Sequence, residues 1–115
     1  MAVLATLDRA RPQQYNVHMT DIRFVWDSAK AAENQRKHGV SFEEARSVFY
    51  DENARFQHDP DHSDKEDRFL LLGMSYSFRI LLVVHCYREE NEVIRFISAR
   101  KATKTERQQY EGFPT

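Results

Sequence analysis

A chain of 115 residues with 41% hydrophobic and 12% aromatic side chains can close one modest core and leaves no room for a second domain. A formal net charge of -1 excludes a uniformly basic nucleic-acid binder, and the single cysteine, Cys86, excludes an intramolecular disulfide. No apolar run approaches the roughly 18 residues that span a bilayer, and Val3 to Ala5 is too short for a signal-peptide core, so a cytoplasmic protein is expected.

Charge is segregated along the chain. Between Asp51 and Asp67 seven acidic residues stand against Arg55 and Lys65, whereas between Arg95 and Arg107 five basic residues stand against Glu106 alone. A bipolar surface suits an anion at one end and a basic partner at the other, but solvated faces also segregate charge.

Residues 1–20 are polar, contain Pro12 and end near Met19, a second candidate start, so they are assigned to an N-terminal extension. The single domain is placed at 21–112, with a tail at 113–115. Its first strand is predicted over Ile22 to Trp26, where β-formers dominate. Asp27 is placed to cap a helix running to His38, and Gly39 stands where a left-handed residue ends one. Ser41 and Glu44 then form an S-x-x-E capping box, with Val40 placed to staple onto Ala45, and Phe42, Ala45 and Phe49 make one apolar stripe.

Arg55 to His58 reads as a short strand, followed by the turn Asp59-Pro60-Asp61. The period then changes to two. Arg68 to Leu72, Arg79 to Tyr87 and Val93 to Ala99 read as three strands of a meander, and the run Ile80 to Val84 is apolar on both faces, as a central strand is. Thr103 or Thr105 caps a short last helix through Tyr110, stopped by Gly112 and Pro114. The fold class is therefore α+β: two N-terminal helices and a short C-terminal helix on a mainly antiparallel sheet of four to five strands.

Candidate chemistry lies in two basic blocks. Arg36, Lys37 and His38 close the first helix, where they complement its dipole or where Lys37 contacts a phosphate and His38 moves a proton. Arg95 lies within a strand, sharing a face with Val93 and Ile97, and Arg100 and Lys101 lie at its end. Arginine grips phosphate with a planar fork and does not titrate at working pH, so Arg79, Arg95 and Arg100 suit anchoring and charge stabilisation. Arg95 could equally pair with Glu66, Asp67 or Glu89. Tyr110 could pack on the sheet or donate to a phosphate. His85, in an apolar strand, is a secondary candidate against the commoner role of a core histidine.

The string His58-Asp59-Pro60-Asp61-His62-Ser63-Asp64 carries ligand atoms but matches no C2H2, HExxH or EF-hand spacing, so no metal is expected. No Walker A, GxGxxG or GxSxG motif occurs, and no cofactor is expected.

Four stretches, FVWDSAKAAENQRKHGVSFEEARSVF, DPDHSDKEDRFLLLG, RILLVVHCY and IRFISARKATKTERQQYE, together resemble the BrnT family of type II toxin components, over about Phe24 to Glu111. The resemblance implies a RelE-like fold, a ribonuclease that slows growth by cutting RNA, and a BrnA-type antitoxin with a DNA-binding region that neutralises it and represses the operon. Lys37 and His38 match the family's KHG, Arg79 the start of its central strand, Arg95, Arg100 and Lys101 its IRFISARKA block, and Glu106 and Tyr110 its ER..Y ending. Ser28 departs from the family's frequent Pro, and His85 occupies a variable position. On this likeness the expected reaction is metal-independent attack of a 2′-hydroxyl on the adjacent phosphate, leaving a 2′,3′-cyclic phosphate. Arg79, Arg95 and Arg100 would hold the phosphate and Lys37 add charge. His38 would work as acid or base with Glu106 or Tyr110, and Lys101, Lys104 and Arg107 would contact RNA. The two basic blocks would then be walls of one site, and the acidic segment a surface for the antitoxin. The rival readings are a non-catalytic nucleic-acid- or protein-binding module and a metal-dependent hydrolase built on His58 to Asp64.

Overall fold

A polar side chain caps the start of each described α-helix of the computed structural model, which describes residues 22–62, 66–90 and 92–112. Asp27 accepts the Ala29 N–H at 2.8 Å, and α1 runs over Ser28–His38 until Gly39, at φ 69°, donates its N–H back to Gln35 O. Ser41 accepts the Glu44 N–H at 3.0 Å to open α2, Phe42–Ser47, which tightens into a 3-10 turn over Val48–Tyr50. Only half of the expected capping box forms here, because the Glu44 carboxylate turns inward to Arg79 instead of back to Ser41. The reciprocal box appears at Thr103 and Glu106, which open α3, Lys104–Tyr110. The extension at 1–20 and the tail at 113–115 lie outside the described residues.

Among the described residues five strands, β1 (Arg23–Val25), β2 (Arg55–Asp59), β3 (Arg68–Met74), β4 (Ile80–Arg88) and β5 (Val93–Lys101), form one sheet in the order β1-β5-β4-β3-β2. All pairs are antiparallel except β1 with β5. The run that is apolar on both faces, β4, does take the central position, with Leu81, Leu82 and Val83 all buried.

The register divides the side chains between two faces. One carries Phe24, Ile94, Phe96, Ala99, Leu81, Val83, His85 and Leu71, and the helical segment Val40–Phe49 packs onto it. Asn34 of α1 ties that helix to β5 by donating to Ala99 O and accepting the Ala99 N–H, at 2.9 and 3.0 Å. Gly73 of β3 faces the same layer, where a Cβ would stand 2.8 Å from Val48 Cγ1 and 2.9 Å from Ala54 Cβ. The other face carries Arg95, Ser98 and Arg100 of β5, Leu82 and Val84 of β4, Leu70 and Leu72 of β3, and Arg55 and Gln57 of β2. Of the described helices, α3 packs there, with Tyr110 on the Leu72–Leu82 cluster.

One irregularity matters for the site. Val84 pairs with Ser98 and His85 with Phe96, so Ile97 is an extra residue in β5. Side chains five residues apart on a regular strand point to opposite faces; the bulge restores Arg95 and Arg100 to the same one, opposite Cys86 and Leu82 respectively.

Candidate functional site

The second face of the sheet, open among the described residues except where α3 packs, holds a cleft of about 500 Å³, lined by Arg55, Gln57, Leu70, Leu72 and Leu82 from the strands and by Glu106, Gln109 and Gly112 from the α3 end. Strand alternation supplies its floor: Arg55 and Gln57, two apart on β2, point to the same side as Leu70 and Leu72 of β3. Helix periodicity supplies its wall, because Glu106 and Gln109 stand at i and i+3. The Arg55 guanidinium reaches across and donates to Tyr110 O at 3.4 Å.

At the cleft's edge Arg100 grips Glu106 through a two-pronged fork, Nη1 to Oε1 and Nη2 to Oε2, both at 2.9 Å. The fork, helped by the Thr103 N–H and opposed by partial burial, holds the Glu106 carboxyl below the usual carboxylate range, and Glu106 in turn raises the Arg100 guanidinium. Tyr110 donates its hydroxyl to Asp51 Oδ2 at 2.6 Å. Burial and that carboxylate push its phenol up to about 12, so it keeps its proton at neutral pH.

Further along the same face, Arg95 and Arg88 converge on Glu66, at 2.5 and 2.7 Å. Burial works to raise the Glu66 pKa, but the two arginines outweigh it and the carboxyl lies low. The pairing of Arg95 with Glu66, one of the alternatives left open by the sequence, is therefore realised. Its Nε is buried with no hydrogen-bond acceptor among the described residues.

The other basic block lies elsewhere. Arg79 binds the buried Glu44 through Nε at 3.0 Å and through Nη2, and Nη2 also donates to Gly39 O at 3.1 Å, which fastens the KHG turn to the start of β4. That ion pair and the Ser75 hydroxyl, working against burial, hold Glu44 below its ordinary value. Lys37 and His38 close α1, which covers the helix-packed face, and Lys101, register partner of Leu81, points to that side as well. Arg95 is on the opposite face, so the expectation of a single site walled by both blocks does not hold. Arg100 and Glu106 meet on the open face, while Tyr110, one helical turn on, packs its ring on Leu72 and Leu82 and turns its hydroxyl to Asp51; Lys104 and Arg107 lie on the same short helix.

The sequence profile described as ribonuclease toxin BrnT of type II toxin-antitoxin systems matches residues 26–106. The chain belongs to the BrnT family. The family's members are ribonuclease toxins, and the core match runs from Trp26 through the Arg100–Glu106 pair. The fold is similar to that of the Brucella abortus ribonuclease toxin BrnT in its crystal structure, at 24% identity and a TM-score of 0.55, over 72% of this chain and 99% of the other. No curated protein matches the chain.

In this BrnT-family chain His85 is fully buried. It is ringed by Phe49, Phe56, Phe69 and Tyr87 on the helix-packed face, and burial drives its imidazole down to about 4. It belongs to the core and faces no cleft. No three His, Cys, Asp or Glu side chains among the described residues are placed to hold a metal ion, and the side chains of His62 and Asp64 lie outside those residues. No helix among the described residues is long and apolar enough to cross a membrane.

The acidic segment is less free than its charge count implied. Asp51 accepts from Met74 N and Tyr110, Glu66 holds two arginines, and Asp67 contacts His58 at 3.4 Å. Glu66 is open in the sequence as one of three partners for Arg95, whereas Glu44, which decides where Arg79 points, reads there only as half of a capping box.

Proposed function

We propose that this toxin cleaves RNA without a metal, at the open-face cleft, by attack of a 2′-hydroxyl on the adjacent phosphate. The observation that carries the reading is the Arg100–Glu106 fork at the edge of a cleft of about 500 Å³. A phosphate presents the same two-oxygen geometry as a carboxylate, so Arg100 can exchange Glu106 for the scissile phosphate.

That exchange has a chemical consequence. Arg100 is the main cause of the low Glu106 pKa, so its departure returns Glu106 toward its ordinary basicity at the moment RNA arrives. Glu106 then takes the proton of the 2′-hydroxyl, the 2′-oxygen bonds to phosphorus, and the bond to the 5′-oxygen breaks. Tyr110, protonated at neutral pH and one helical turn further on, supplies the proton to the leaving oxygen. Arg100 stabilises the charge that develops on the phosphate. Arg95, roughly 13 Å from Arg100 at about 3.3 Å per residue, and Arg88 beyond it hold the strand further along the sheet. Because Lys37, His38 and Arg79 sit at the other face or end, they have no role in the proton transfers here.

The partner in this reading is a BrnA-type antitoxin with a DNA-binding region, which neutralises the toxin by covering the cleft.

The test is cleavage of a defined RNA in excess EDTA by wild type, Arg100→Ala, Glu106→Gln and Tyr110→Phe. Each substitution is expected to lower kcat by about 10² to 10⁴-fold with the fold retained, and the product to end in a cyclic phosphate. Activity that disappears in EDTA and returns with a divalent ion, or full activity in Glu106→Gln, overturns the scheme.

A further inference from the structure

The hairpin that joins β3 to β4 breaks two rules at once. Its turn closes with Phe78 N–H on Ser75 O at 2.9 Å and Ser75 N–H on Arg79 O at 2.8 Å, which leaves Phe78 in the left-handed position at φ 63°. That position of a hairpin is normally glycine, because any Cβ there crowds the backbone. Phe78 accepts the strain and gains no burial for it: it is 83% exposed, and Tyr76 beside it is 63% exposed. Strain held against the folded state, with no packing in return, is the mark of a residue placed for contact with something else.

The loop is held rigidly. Ser75 Oγ donates to Glu44 at 2.6 Å and accepts the Ser77 N–H at 3.1 Å, Tyr76 N–H donates to Ser47 Oγ at 2.9 Å, and Arg79 is locked between Glu44 and Gly39. Two aromatic rings are therefore presented from a fixed frame.

Their surroundings identify the occupant. The Arg79–Gly39 contact sets the last turn of α1 beside the hairpin, and the Ala102 N–H on Ile80 O at 2.9 Å sets the end of β5 there too. Arg36 is matched by Glu33 and Arg79 by Glu44, but Lys37, Lys101 and Lys104 are exposed at this end. Exposed rings rimmed by cations are what unpaired nucleic-acid bases and their phosphates require. The hairpin tip also lies beyond Leu72, at the cleft's floor, by about four residues, on the order of 13 Å.

We propose that Tyr76 and Phe78 form a stacking platform for an unpaired base of the RNA substrate, flanked by phosphate contacts from Lys37, Lys101 and Lys104. The proposal rests on the reading of the open-face cleft as the site of RNA cleavage, and adds a preference for single-stranded RNA long enough to reach from cleft to hairpin. It also gives the KHG turn a role in binding that the cleavage scheme leaves without one.

The experiment measures binding of a 2′-O-methyl oligouridine, which cannot be cut, by fluorescence anisotropy on the full chain, with Tyr76→Ala and Phe78→Gly as variants. Each is expected to bind about tenfold more weakly, the loss of one stacked base. Phe78→Gly is expected at the same time to unfold at an equal or higher urea concentration, since it relieves the left-handed strain; a merely structural Phe78 would not couple greater stability to weaker binding. Cleavage of a dinucleotide too short to reach the hairpin should be the same in variant and wild type. Unchanged affinity in both variants overturns the platform, and so does a result in which only antitoxin affinity falls. A wild type that binds the oligomer through these rings but does not cleave the dinucleotide leaves the platform standing and refutes the cleft.

Discussion

Replacing Glu44 with alanine should destabilise this protein by about 3 kcal/mol, and the figure follows from its surroundings. The side chain is 5% exposed and accepts three hydrogen bonds, two from Arg79 and one from Ser75 Oγ at 2.6 Å. Breaking a buried ion pair from one side costs about 3 to 5 kcal/mol, chiefly because the surviving charge is stranded. Arg79 has a third of its side chain in solvent and keeps Gly39 O as an acceptor, so hydration recovers part of the loss and the lower end applies. Against a total stability of about 5 to 15 kcal/mol that is a large fraction, worth roughly 10 °C in Tm.

The assay is urea denaturation of wild type, Glu44→Ala, Arg79→Ala and the double variant. The cycle should return a coupling energy of about 2 kcal/mol for contacting, charged partners. The pH dependence has a definite sign. The folded-state pKa of Glu44 lies below the ordinary 4.5, so its contribution is complete above that value and is lost as pH falls through the folded-state pKa. The difference between wild type and Glu44→Ala should therefore shrink on acidification. A coupling below about 0.5 kcal/mol, or a difference that ignores pH, refutes the assignment of Glu44 as the hairpin's internal anchor.

Two further outcomes test the packing. Gly73→Ala would drive a methyl to 2.8 Å from Val48 Cγ1 and 2.9 Å from Ala54 Cβ, and should lower the urea midpoint by an amount equivalent to about 1 to 3 kcal/mol; an unchanged midpoint would mean the sheet and 3-10 turn are not packed this closely. His85 is held neutral down to about 4 by burial, against an ordinary 6.5, so the unfolded chain takes up a proton first. Stability should be complete above pH 6.5 and fall by about 3 kcal/mol as pH drops to 4, a slope that His85→Phe should flatten in denaturation curves at stepped pH.

The elements of this fold were legible because their causes are local. Asp27 and Ser41 start helices by bonding N–H groups two and three residues away, Gly39 ends one by its own φ, and the doubly apolar Ile80 to Val84 run can satisfy both of its faces only in the middle of a sheet. The family likeness was legible for the same reason, since its motifs are short stretches within these elements. Arg100, Glu106 and Tyr110 were legible as candidates by residue type and spacing.

Which of the candidates meet was decided at long range. The alternation of β5 alone would set Arg95 and Arg100 on opposite faces, and it is the bulge at Ile97, a mismatch between β5 and β4, that brings them to one side. No periodicity within α1 reveals that its Lys37 and His38 belong to the far side of the sheet from Arg95; that depends on α1 packing against Ala99 and the core of β5. Glu44 reads as the second half of a capping box, a contact three residues away, and is claimed instead by Arg79, 35 positions on. Local sequence thus determined which elements form and what chemistry they carry. The tertiary structure decided which charges face each other, because an ion pair is set by distance in space and the sheet register fixes that distance.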